Sequence, residues 1–498
     1  MSLSSEWGVL SVEECVERAF ALAERPTRHI DEESYRHAYG LALRVIRGDE
    51  EIPLAAIQGP PGSGKTYVVE RMAEEYLAED FFTGKDLVIY IAPTNELAWE
   101  ACARVLSRIL RRLAPDDERE RCRVVRELPY LVRVLGYKIR SVGTALRGKC
   151  GDGVKLSEIV DLKVGEFVRL VFTTEFQRPY IESTRDIKLV VDESSKSPYF
   201  RAFIPLVRRI AFKKFKDYPV SMVVLGDPQQ AIMSEGYGRD ILLMNVAKKY
   251  LGERNYIMLD LTFRLPEPSE YPISMGFYEG RLRSVVNRHD RLKGWSLNSD
   301  ELLRILNRYV NVGSDLQMVV EALEEAINNS IPLVVFETPQ FEPGDTLDRL
   351  RAKLGFYTSL ALSVWLERYG IQRSLAVTSI YTDLPQAVGF ELRRRGLSVD
   401  RMTVQALIGG ERDFVVTMLG KEYRDVADEY ATMYAREPEL LNVQLSRHRA
   451  LMAVIGCVNC LSRFPPWPGR IKDLRIRATG EALVDMIERG EVVYRTYE

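Results

Sequence analysis

The chain has 498 residues, of which 46% are hydrophobic and 28% charged, and its formal net charge is −2. This length exceeds what one ordinary core organises, so we expect two or three domains of a soluble globular protein. The apolar stretches are short or interrupted by charge, and the acidic N-terminus does not have the pattern of a signal peptide. We therefore expect no membrane partner and an intracellular location, in the cytoplasm or in the nucleoid or nucleus. The small net charge does not exclude nucleic acid, because local basic patches matter more than the sum.

The first half of the chain alternates short apolar strands with helices. Residues 1–50 are predicted to be an N-terminal helical segment, and residues 51–256 a first domain with a small insertion near 126–166. Strands separated by helices are typical of a doubly wound parallel sheet in an α/β fold. The predicted strands are 54–58, 87–92, 123–124, 169–172, 187–191 and 222–225, and the predicted helices are 12–24, 34–46, 66–78 and 95–113.

The second half repeats this alternation. Residues 257–498 are predicted to form a second α/β domain with an insertion near 284–330. The predicted strands are 257–261, 333–337, 374–378, 402–404, 414–418 and 451–455, and the predicted helices are 349–368, 384–395 and 440–449. The chain also has six cysteines, among which Cys457 and Cys460 form one close pair. A single such pair is half a zinc site, so we predict ordinary thiols at a strand end and no metal cluster.

A glycine-rich segment at residues 59–66 is the most informative motif of the chain. It follows the apolar run 54–57 and precedes a predicted helix, which is the order of strand, loop and helix that a phosphate-binding loop requires. Its backbone N–H groups would surround phosphate oxygens, Lys65 would supply charge to the β- and γ-phosphates, and Thr66 would supply a hydroxyl for Mg²⁺. A plain Gly/Pro turn before a helix is the less favoured alternative, given the complete spacing. The other members of the loop are Gly59, Pro60, Pro61, Gly62, Ser63 and Gly64.

Two further predicted strands end in polar residues. Asp192 and Glu193 follow the strand at 187–191, where one carboxylate can hold Mg²⁺ and the other can take a proton from an attacking water. Gln230 follows the next strand within the segment Gly-Asp-Pro-Gln-Gln, where an amide can sense a γ-phosphate. Taken singly, an acidic cap and a proline turn would explain these segments. Together with the phosphate loop they predict a nucleoside triphosphatase.

The ordered set of motifs resembles the superfamily 1 helicases, in particular the 1B group that contains the nonsense-mediated-decay helicase and senataxin, reduced to a minimal core. This resemblance implies two RecA-like doubly wound domains of the P-loop NTPase class, with ATP and Mg²⁺ bound in the cleft between them. It covers most of the span from residue 30 to residue 460. The matching segments are 58–66, 92–95, 172–174, 192–195, 226–230, 261–264, 277–282, 404–414 and 442–449.

The resemblance implies a role for each matching residue at the nucleotide. Lys65 and Thr66 bind phosphates and metal, Asp192 holds the metal, Glu193 is the general base and Gln230 senses the γ-phosphate. Phe263 stacks on the base, Arg264 and Arg447 are arginine fingers, and Gly409 and Glu411 contact the sugar and couple it to the nucleic-acid track. Tyr35 stands where the family has a glutamine that reads adenine, and we expect it to stack on the base. The chain also departs from the family at Lys196, Gln405 and Ile408, which are coupling positions.

The resemblance further implies a path for single-stranded DNA or RNA, which is contacted without sequence readout. The implied contacts are Pro93, Thr94, Asn95, Thr173 and Thr174 in the first domain and Ser379, Tyr381 and Gln405 in the second. For the two adjacent threonines, capping of a strand end is an equal alternative. We therefore expect a monomeric motor core, recruited by unidentified protein partners, that unwinds nucleic acid in the 5′→3′ direction. The alternatives are a nucleic-acid remodeller with an idle ATPase, and an unrelated P-loop kinase or GTPase.

Overall fold

The structure of the chain is a computed structural model. The chain is divided into two compact units. The first unit comprises Met1–Gly59, Gly64–Pro228 and Glu235–Leu259, and the second comprises Pro60–Ser63, Gln229–Ser234 and Asp260–Glu498. The structure describes residues 18–19, 21–23, 30–78, 83–113, 132–134, 163–164, 168–177, 180–181, 186–195, 197–206, 220–231, 238–341, 347–404, 410–421, 433–464 and 474–497.

A seven-stranded sheet, in which all strands are parallel, is the centre of the first unit. Its long strands are buried at almost every position, as expected for a sheet that helices cover on both faces. The strands of the unit are β1 (Leu54–Gln58), β2 (Leu87–Ala92), β3 (Val132–Val134), β4 (Lys163–Val164), β5 (Leu170–Thr174), β6 (Tyr180–Ile181), β7 (Ile187–Val191), β8 (Val220–Gly226) and β9 (Tyr256–Met258). The sheet order is β3-β5-β2-β7-β8-β1-β9, and β4 pairs with β6 separately.

Four helices described in this unit accompany the sheet. They are α1 (Glu33–Arg47), α2 (Lys65–Ala78), α3 (Asn95–Leu113) and α4 (Leu243–Asn255). Helix α1 ends where Gly48 adopts a φ of 86°, and the Gly48 N–H donates to the Arg44 carbonyl at 3.0 Å. This left-handed conformation costs glycine little, because it has no Cβ.

The order of the first sheet determines where its polar strand ends meet. Strand β8 lies between β1 and β7, and in register Gln58 pairs with Gly226 and Val191 with Val224. Because the strands are parallel, the residues that follow β1, β7 and β8 lie at one edge of the sheet. In open α/β sheets this carboxyl edge is where ligands bind.

The second unit contains a six-stranded sheet, again entirely parallel. Its order is β14-β13-β15-β16-β12-β17, and β10 and β11 form a separate parallel pair. The prediction of two doubly wound, RecA-like parallel-sheet units is confirmed. The strands of this unit are β10 (Leu261–Pro266), β11 (Arg283–Val286), β12 (Leu333–Glu337), β13 (Leu375–Ser379), β14 (Asp400–Thr403), β15 (Arg412–Met418), β16 (His448–Gly456) and β17 (Val493–Thr496).

Ten helices are described in the second unit. Side-chain caps begin several of them; for example, an Asp348 carboxylate oxygen accepts from the Arg351 N–H at 2.9 Å. They are α5 (Tyr271–Phe277), α6 (Arg288–Leu292), α7 (Ser299–Leu306), α8 (Ser314–Asn328), α9 (Arg349–Arg368), α10 (Asp383–Arg393), α11 (Met433–Arg436), α12 (Glu439–Leu445), α13 (Val458–Ser462) and α14 (Arg475–Glu488). Apolar side chains of α7 and α8, within the predicted insertion, belong to the main core of this unit together with those of α9 and β15.

Several sequence predictions differ from the structure. The predicted helix at 440–449 is wrong after Leu445, because α12 ends there and β16 begins at His448. The predicted strand at 257–261 is divided between β9 and β10. The sequence patterns did not predict helices α4, α5, α6, α7, α8, α11, α13 and α14. Residues 123–124 and most of the predicted insertion at 126–166 lie outside the described residues.

Two further observations concern cysteine and membrane helices. Cys457 and Cys460 are joined by a disulfide, so the prediction of ordinary thiols is wrong for this pair. Of the helices in the described ranges, none has both the length and the apolar character needed to cross a bilayer.

Candidate nucleotide site and nucleic-acid face

The phosphate loop joins β1 to α2, as its sequence predicts. Gly62 and Gly64 have φ values of 67° and 76°, which residues with a Cβ rarely adopt. The turn is closed by backbone hydrogen bonds, from the Ser63 N–H to the Pro60 carbonyl at 3.1 Å and from the Tyr67 N–H to the Gly64 carbonyl at 2.8 Å. Because α2 begins at Lys65, the loop leads into a helix N-terminus, where backbone N–H groups and the helix dipole favour anions.

Lys65 is held at the carboxyl edge of the first sheet. Its Nζ donates to the Gly59 carbonyl at 3.1 Å and lies 3.6 Å from Glu193 Oε1. The side chain of Lys65 is 14% exposed and that of Glu193 is 25% exposed, so both are accessible to a bound ligand. The structure therefore brings together the predicted phosphate-binding lysine and the predicted general base.

Asp192 is fixed by two hydrogen bonds beside this pair. Tyr90 Oη donates to Asp192 Oδ2 at 2.6 Å, and the Glu193 N–H donates to Asp192 Oδ1 at 2.8 Å. Glu193 has a φ of 49°, an uncommon conformation for a non-glycine residue that turns the chain sharply after β7. Strain of this kind is concentrated at functional sites.

Asp192 is a partly buried carboxylate beside a second acidic residue, Glu193. Burial raises the pKa of Asp192, and the nearby negative charge of Glu193 raises it further, against the opposing effects of Tyr90 and Lys65. Burial and the charge of Asp192 likewise raise the pKa of Tyr90 well above its ordinary value, so its hydroxyl remains a donor. Oxygen ligands suit Mg²⁺, and the Thr66 hydroxyl and the Asp192 carboxylate provide that chemistry.

Tyr90 is a site residue that sequence reasoning missed. It lies within the apolar run of β2 and is 2% exposed, so the pattern indicates only a buried strand. The signal available was a hydroxyl in a strand adjacent to the one that ends at Asp192. A second missed contact joins β1 to the residue after β8, where Gln58 Nε2 donates to Asp227 Oδ1 at 3.2 Å.

Arg264 lies in β10 and is anchored within the second unit. Its Nε donates to Glu411 Oε2 at 2.7 Å, and its Nη1 donates to the Ser446 carbonyl at 3.1 Å. A Cβ added at Gly62 would come within 2.3 Å of Arg264 Cβ, so only glycine fits there. The Phe263 N–H donates to the Gly62 carbonyl at 2.9 Å, which places Phe263 and Arg264 against the four loop residues of this unit.

Glu411 has a different set of contacts from the one the resemblance implies. It pairs with Arg264 and, through Oε1, with Arg449 Nη1 at 3.3 Å. Burial alone would raise the pKa of Glu411, but Arg264 and Arg449, with Arg291 nearby, outweigh it and lower the pKa. Glu411 is therefore an anionic anchor for arginines, and its neighbour Gly409 lies outside the described residues.

Arg447 is buried, with 2% of its surface exposed. Hydrogen bonds to oxygen acceptors hold its guanidinium in one orientation. Within the second unit, Nε donates to the Val443 carbonyl at 3.0 Å, Nη1 to the Gly410 carbonyl at 3.3 Å and Nη2 to Gln230 Oε1 at 2.7 Å. The two residues predicted to sense and to neutralise a γ-phosphate are thus in direct contact.

Tyr35 is placed differently from its predicted role. It lies in α1 with 2% of its surface exposed, and its ring packs edge-on against Tyr67 with a centroid separation of 6.5 Å. A ring buried in this way does not offer a face to a nucleotide base, so we leave Tyr35 out of the proposed site.

The predicted nucleic-acid residues divide into accessible and buried groups. Thr94 is exposed, and its Oγ1 accepts from the Leu97 N–H at 3.3 Å at the start of α3. Thr173, Thr174 and Ser379 are buried, at 0%, 6% and 0% exposure, so the expectation that they contact nucleic acid fails in this structure. They are the last residues of β5 and β13, whose burial continues to the strand end. Pro93, Asn95 and Tyr381 are partly exposed, and Gln405 lies outside the described residues.

Comparison with known proteins identifies relatives of low identity. No family model matches the chain. It is 23% identical over 454 residues to the regulator of nonsense transcripts 1 homolog of Neurospora crassa, which covers 83% of this chain and 37% of that protein. It is 22% identical over 461 residues to regulator of nonsense transcripts 1 of Dictyostelium discoideum, which covers 85% and 31% respectively. The chain thus spans about a third of the length of these curated relatives.

Among solved structures the chain is similar to a variant of Dbp5 from S. cerevisiae bound to RNA and ADP BeF3. The identity is 12%, the TM-score is 0.34, and the match covers 98% of this chain and 94% of that one. The resemblance to superfamily 1B helicases of the nonsense-mediated-decay type, which the ordered motifs indicate, is confirmed by the two sequence similarities. Both extend over most of the chain.

Proposed function

We propose that the chain is an ATP-dependent translocase and helicase that acts on single-stranded nucleic acid. The observation that carries this proposal is the 3.6 Å pairing of Lys65 with Glu193, beside Asp192, at the carboxyl edge of a parallel sheet. Phosphoryl transfer to water requires a phosphate-binding lysine, a general base and a metal-binding carboxylate close together.

In this proposal the phosphate loop binds the triphosphate and Lys65 leaves Glu193 to contact it. The carboxylate of Glu193 then orients a water and accepts its proton. Thr66 and Asp192 would hold Mg²⁺, which neutralises charge on the β- and γ-phosphates when it is bound. Tyr90 keeps the carboxylate of Asp192 in its orientation through the 2.6 Å hydrogen bond.

We assign Arg264 and Arg447 to the transition state of hydrolysis. The transferring phosphoryl group carries charge on its equatorial oxygens, and an arginine placed on it can increase the rate by about 10³–10⁵. The contact of Arg447 with Gln230 supports a joint role for them at the γ-phosphate. Glu411 and the Ser446 carbonyl accept hydrogen bonds from the Arg264 guanidinium, and we propose that Phe263 contacts the base.

Nucleic acid is the proposed partner because the ordered motifs resemble those of helicases and both sequence relatives are named as regulators of nonsense transcripts. Thr94 and Asn95 provide hydroxyl and amide groups suited to phosphate and sugar contacts. Movement in the 5′→3′ direction follows from the resemblance alone. The burial of Thr173, Thr174 and Ser379 leaves three of the expected contacts out of the proposed nucleic-acid path. The competing candidate is a nucleic-acid remodeller with an idle ATPase.

The test is the rate of ATP hydrolysis with and without single-stranded DNA or RNA, followed by unwinding of duplexes with 5′ or 3′ overhangs. The proposal predicts stimulation by polynucleotide and unwinding from a 5′ overhang. A negligible rate under all conditions, with intact nucleotide binding, would favour the idle remodeller.

A further inference from the structure

A cluster of exposed aromatic side chains lies in the first unit, outside the nucleotide site. Phe176 is 58% exposed, Tyr199 is 45% exposed and Phe200 is 43% exposed. Large apolar side chains left in water singly are ordinary, but a contiguous aromatic patch is a signal of binding. The other large hydrophobic residues exposed among the described residues of this unit are Ile52, Leu97 and Tyr250.

Specific contacts link the segment that carries Phe176 to the segment that carries Tyr199 and Phe200. Arg201 lies over the ring of Phe176, with the guanidinium carbon 5.1 Å from the ring centroid. Arg201 Nη1 also donates to Glu175 Oε1 at 3.0 Å, and Ser197 Oγ donates to the other carboxylate oxygen of Glu175. Glu175 therefore fixes the segment after β5 to the 3₁₀-helix Tyr199–Leu206.

The two aromatic residues of that helix pack on each other. The rings of Tyr199 and Phe200 have centroids 5.9 Å apart and are nearly perpendicular, at 80°. This edge-to-face arrangement stabilises the pair and restricts their rotamers. The cluster is thus an ordered surface with a cation beside it, and it differs from isolated side chains that extend into solvent.

The position of the cluster in the sheet relates it to the predicted nucleic-acid path. Phe176 follows the end of β5, and Tyr199 follows β7 and the acidic pair. Strand β2 lies between β5 and β7, and Thr94 follows its end at the same edge. The cluster therefore flanks the accessible residues to which the proposed function assigns nucleic-acid contacts.

We propose that Phe176, Tyr199 and Phe200 form an aromatic platform on which unpaired bases of a single-stranded nucleic acid stack, with Arg201 holding the ring of Phe176 and pairing with Glu175. This inference rests on the proposed function and deepens it by naming a surface that contacts the bases. Exposed and ordered aromatic rings suit single strands, because every base has a π-face on which a ring can stack. A duplex keeps its bases stacked on each other and offers them to no such surface.

The experiment measures binding of fluorescent oligothymidylate and oligouridylate by anisotropy at several salt concentrations. Stacking is worth about 1–3 kcal/mol per base, so Phe176→Ala and Tyr199→Ala should each raise the Kd roughly 5- to 100-fold. Phe176→Leu keeps the apolar character but removes the ring, and it should weaken binding as Phe176→Ala does, whereas Phe176→Tyr should bind like wild type. The slope of log Kd against log salt should not change, because no phosphate contact is removed.

The matched control is Tyr250→Ala, which removes an aromatic side chain that is 72% exposed in α4 of the same unit. It should leave the Kd unchanged, and ATP hydrolysis without nucleic acid should be normal in all these variants. If Phe176→Ala and Tyr199→Ala bind within twofold of wild type, the platform is refuted while the proposed function stands. Full binding by Phe176→Leu would also refute stacking, because leucine has no ring. If wild type binds neither oligonucleotide, both the proposed function and the platform fail.

Discussion

Lys65 Nζ lies 3.6 Å from Glu193 Oε1 in the first unit, so the cation that would bind phosphate and the carboxylate that would activate water share an ion pair. The pair is partly exposed, and such pairs are worth about 0–1 kcal/mol. A triphosphate can therefore displace Glu193 from Lys65 at small cost. Binding of ATP and release of the general base are then one event.

Glu193→Gln should abolish ATP turnover while ATP still binds. Glutamine keeps the shape of the side chain but cannot accept the proton of water, and it also releases Lys65 from its ion pair. We expect turnover to fall by at least 10²-fold, the scale of general-base catalysis, and the Kd for ATP to fall by no more than about fivefold.

Stopped-flow binding of a fluorescent ATP analogue and a phosphate-release assay measure the two quantities. Glu51→Gln, at an exposed position before β1, is the control and should be silent. Lys65→Ala should differ from Glu193→Gln by weakening both binding and turnover. Undiminished hydrolysis in Glu193→Gln would refute the assignment of the base.

Arg447→Lys should lose hydrolysis far more than ATP affinity. Lysine keeps one charge but cannot contact the Gly410 carbonyl, the Val443 carbonyl and Gln230 at once, so the charge is no longer directed. We expect kcat to fall about 10³-fold and KM for ATP to change less than tenfold.

Because Arg447 is buried, a melting curve must accompany these kinetics. Removal of a buried hydrogen-bonding group costs about 1–3 kcal/mol, which shifts Tm without unfolding a stable unit. Arg477→Ala, in an exposed pair with Glu481, is the control and should change neither kcat nor Tm. A defect confined to KM would contradict the role given to Arg447.

Glu411→Gln should reduce turnover through Arg264. The neutral amide removes the charge that holds Arg264 and Arg449, so Arg264 samples other orientations. We expect kcat to fall roughly tenfold, as expected for lost positioning, and no further fall when Glu411→Gln is added to Arg264→Ala.

A double-mutant cycle on kcat tests this dependence. Asp400→Asn breaks a comparable pair in the same unit, between Asp400 Oδ2 and Arg412 Nε at 2.7 Å, and should be kinetically silent. Additive losses for Glu411 and Arg264 would show that the two residues act separately.

Glu270 should make the stability of the second unit fall as pH rises. Burial raises the pKa of Glu270 from 4.5 to about 7, with Glu267 and Glu491 nearby adding negative charge and the Ser284 N–H partly compensating. Between these pH values the unfolded chain is ionised while the folded one keeps the proton, so folding is less favourable at the higher pH. This pKa difference lowers the free energy of unfolding by up to about 3 kcal/mol. The loss occurs between pH 4.5 and 7 and stays constant at higher pH.

Denaturant melts of wild type and Glu270→Gln at pH 5 and pH 8 check this prediction. Glutamine is neutral at both pH values. The free energy of unfolding should therefore fall more between pH 5 and pH 8 in the wild type than in Glu270→Gln. Glu488→Gln, near the end of α14, serves as a control carboxylate. Equal pH slopes for wild type and Glu270→Gln would contradict the burial argument.

The sequence predicted the strands that are apolar throughout and the helices with long amphipathic patterns. Strands 54–58, 87–92 and 333–337 and helices 95–113 and 349–368 are found with the predicted bounds, because local pattern and tertiary burial agree there. It failed at His448–Arg449, where β16 begins at His448, two residues after the turn at Ser446 that follows α12. The helix propensity of a segment is a weak predictor of its structure. At His448 and Arg449 the pairing of β16 with β12 and β15 determines the structure instead.

The order of the motifs predicted which residues lie at the ends of strands. It was less successful in predicting which side chains face solvent. Lys65, Asp192 and Glu193 meet because parallel strands β1 and β7 end at one edge, which spacing alone indicates. Whether Thr173 faces solvent or core depends on the two-residue period of a strand and on what covers it, and a single sequence does not determine the covering. The aromatic cluster at Phe176 and Tyr199 was invisible for the same reason, since its exposure is a tertiary property.

The most direct measurement of the central claim is steady-state ATP hydrolysis by the wild-type chain and Glu193→Gln, with and without a single-stranded polynucleotide. The account predicts a wild-type rate that rises at least tenfold with polynucleotide and a rate at background in the variant under both conditions. A wild-type rate that polynucleotide does not change, or equal hydrolysis by the variant, would contradict it.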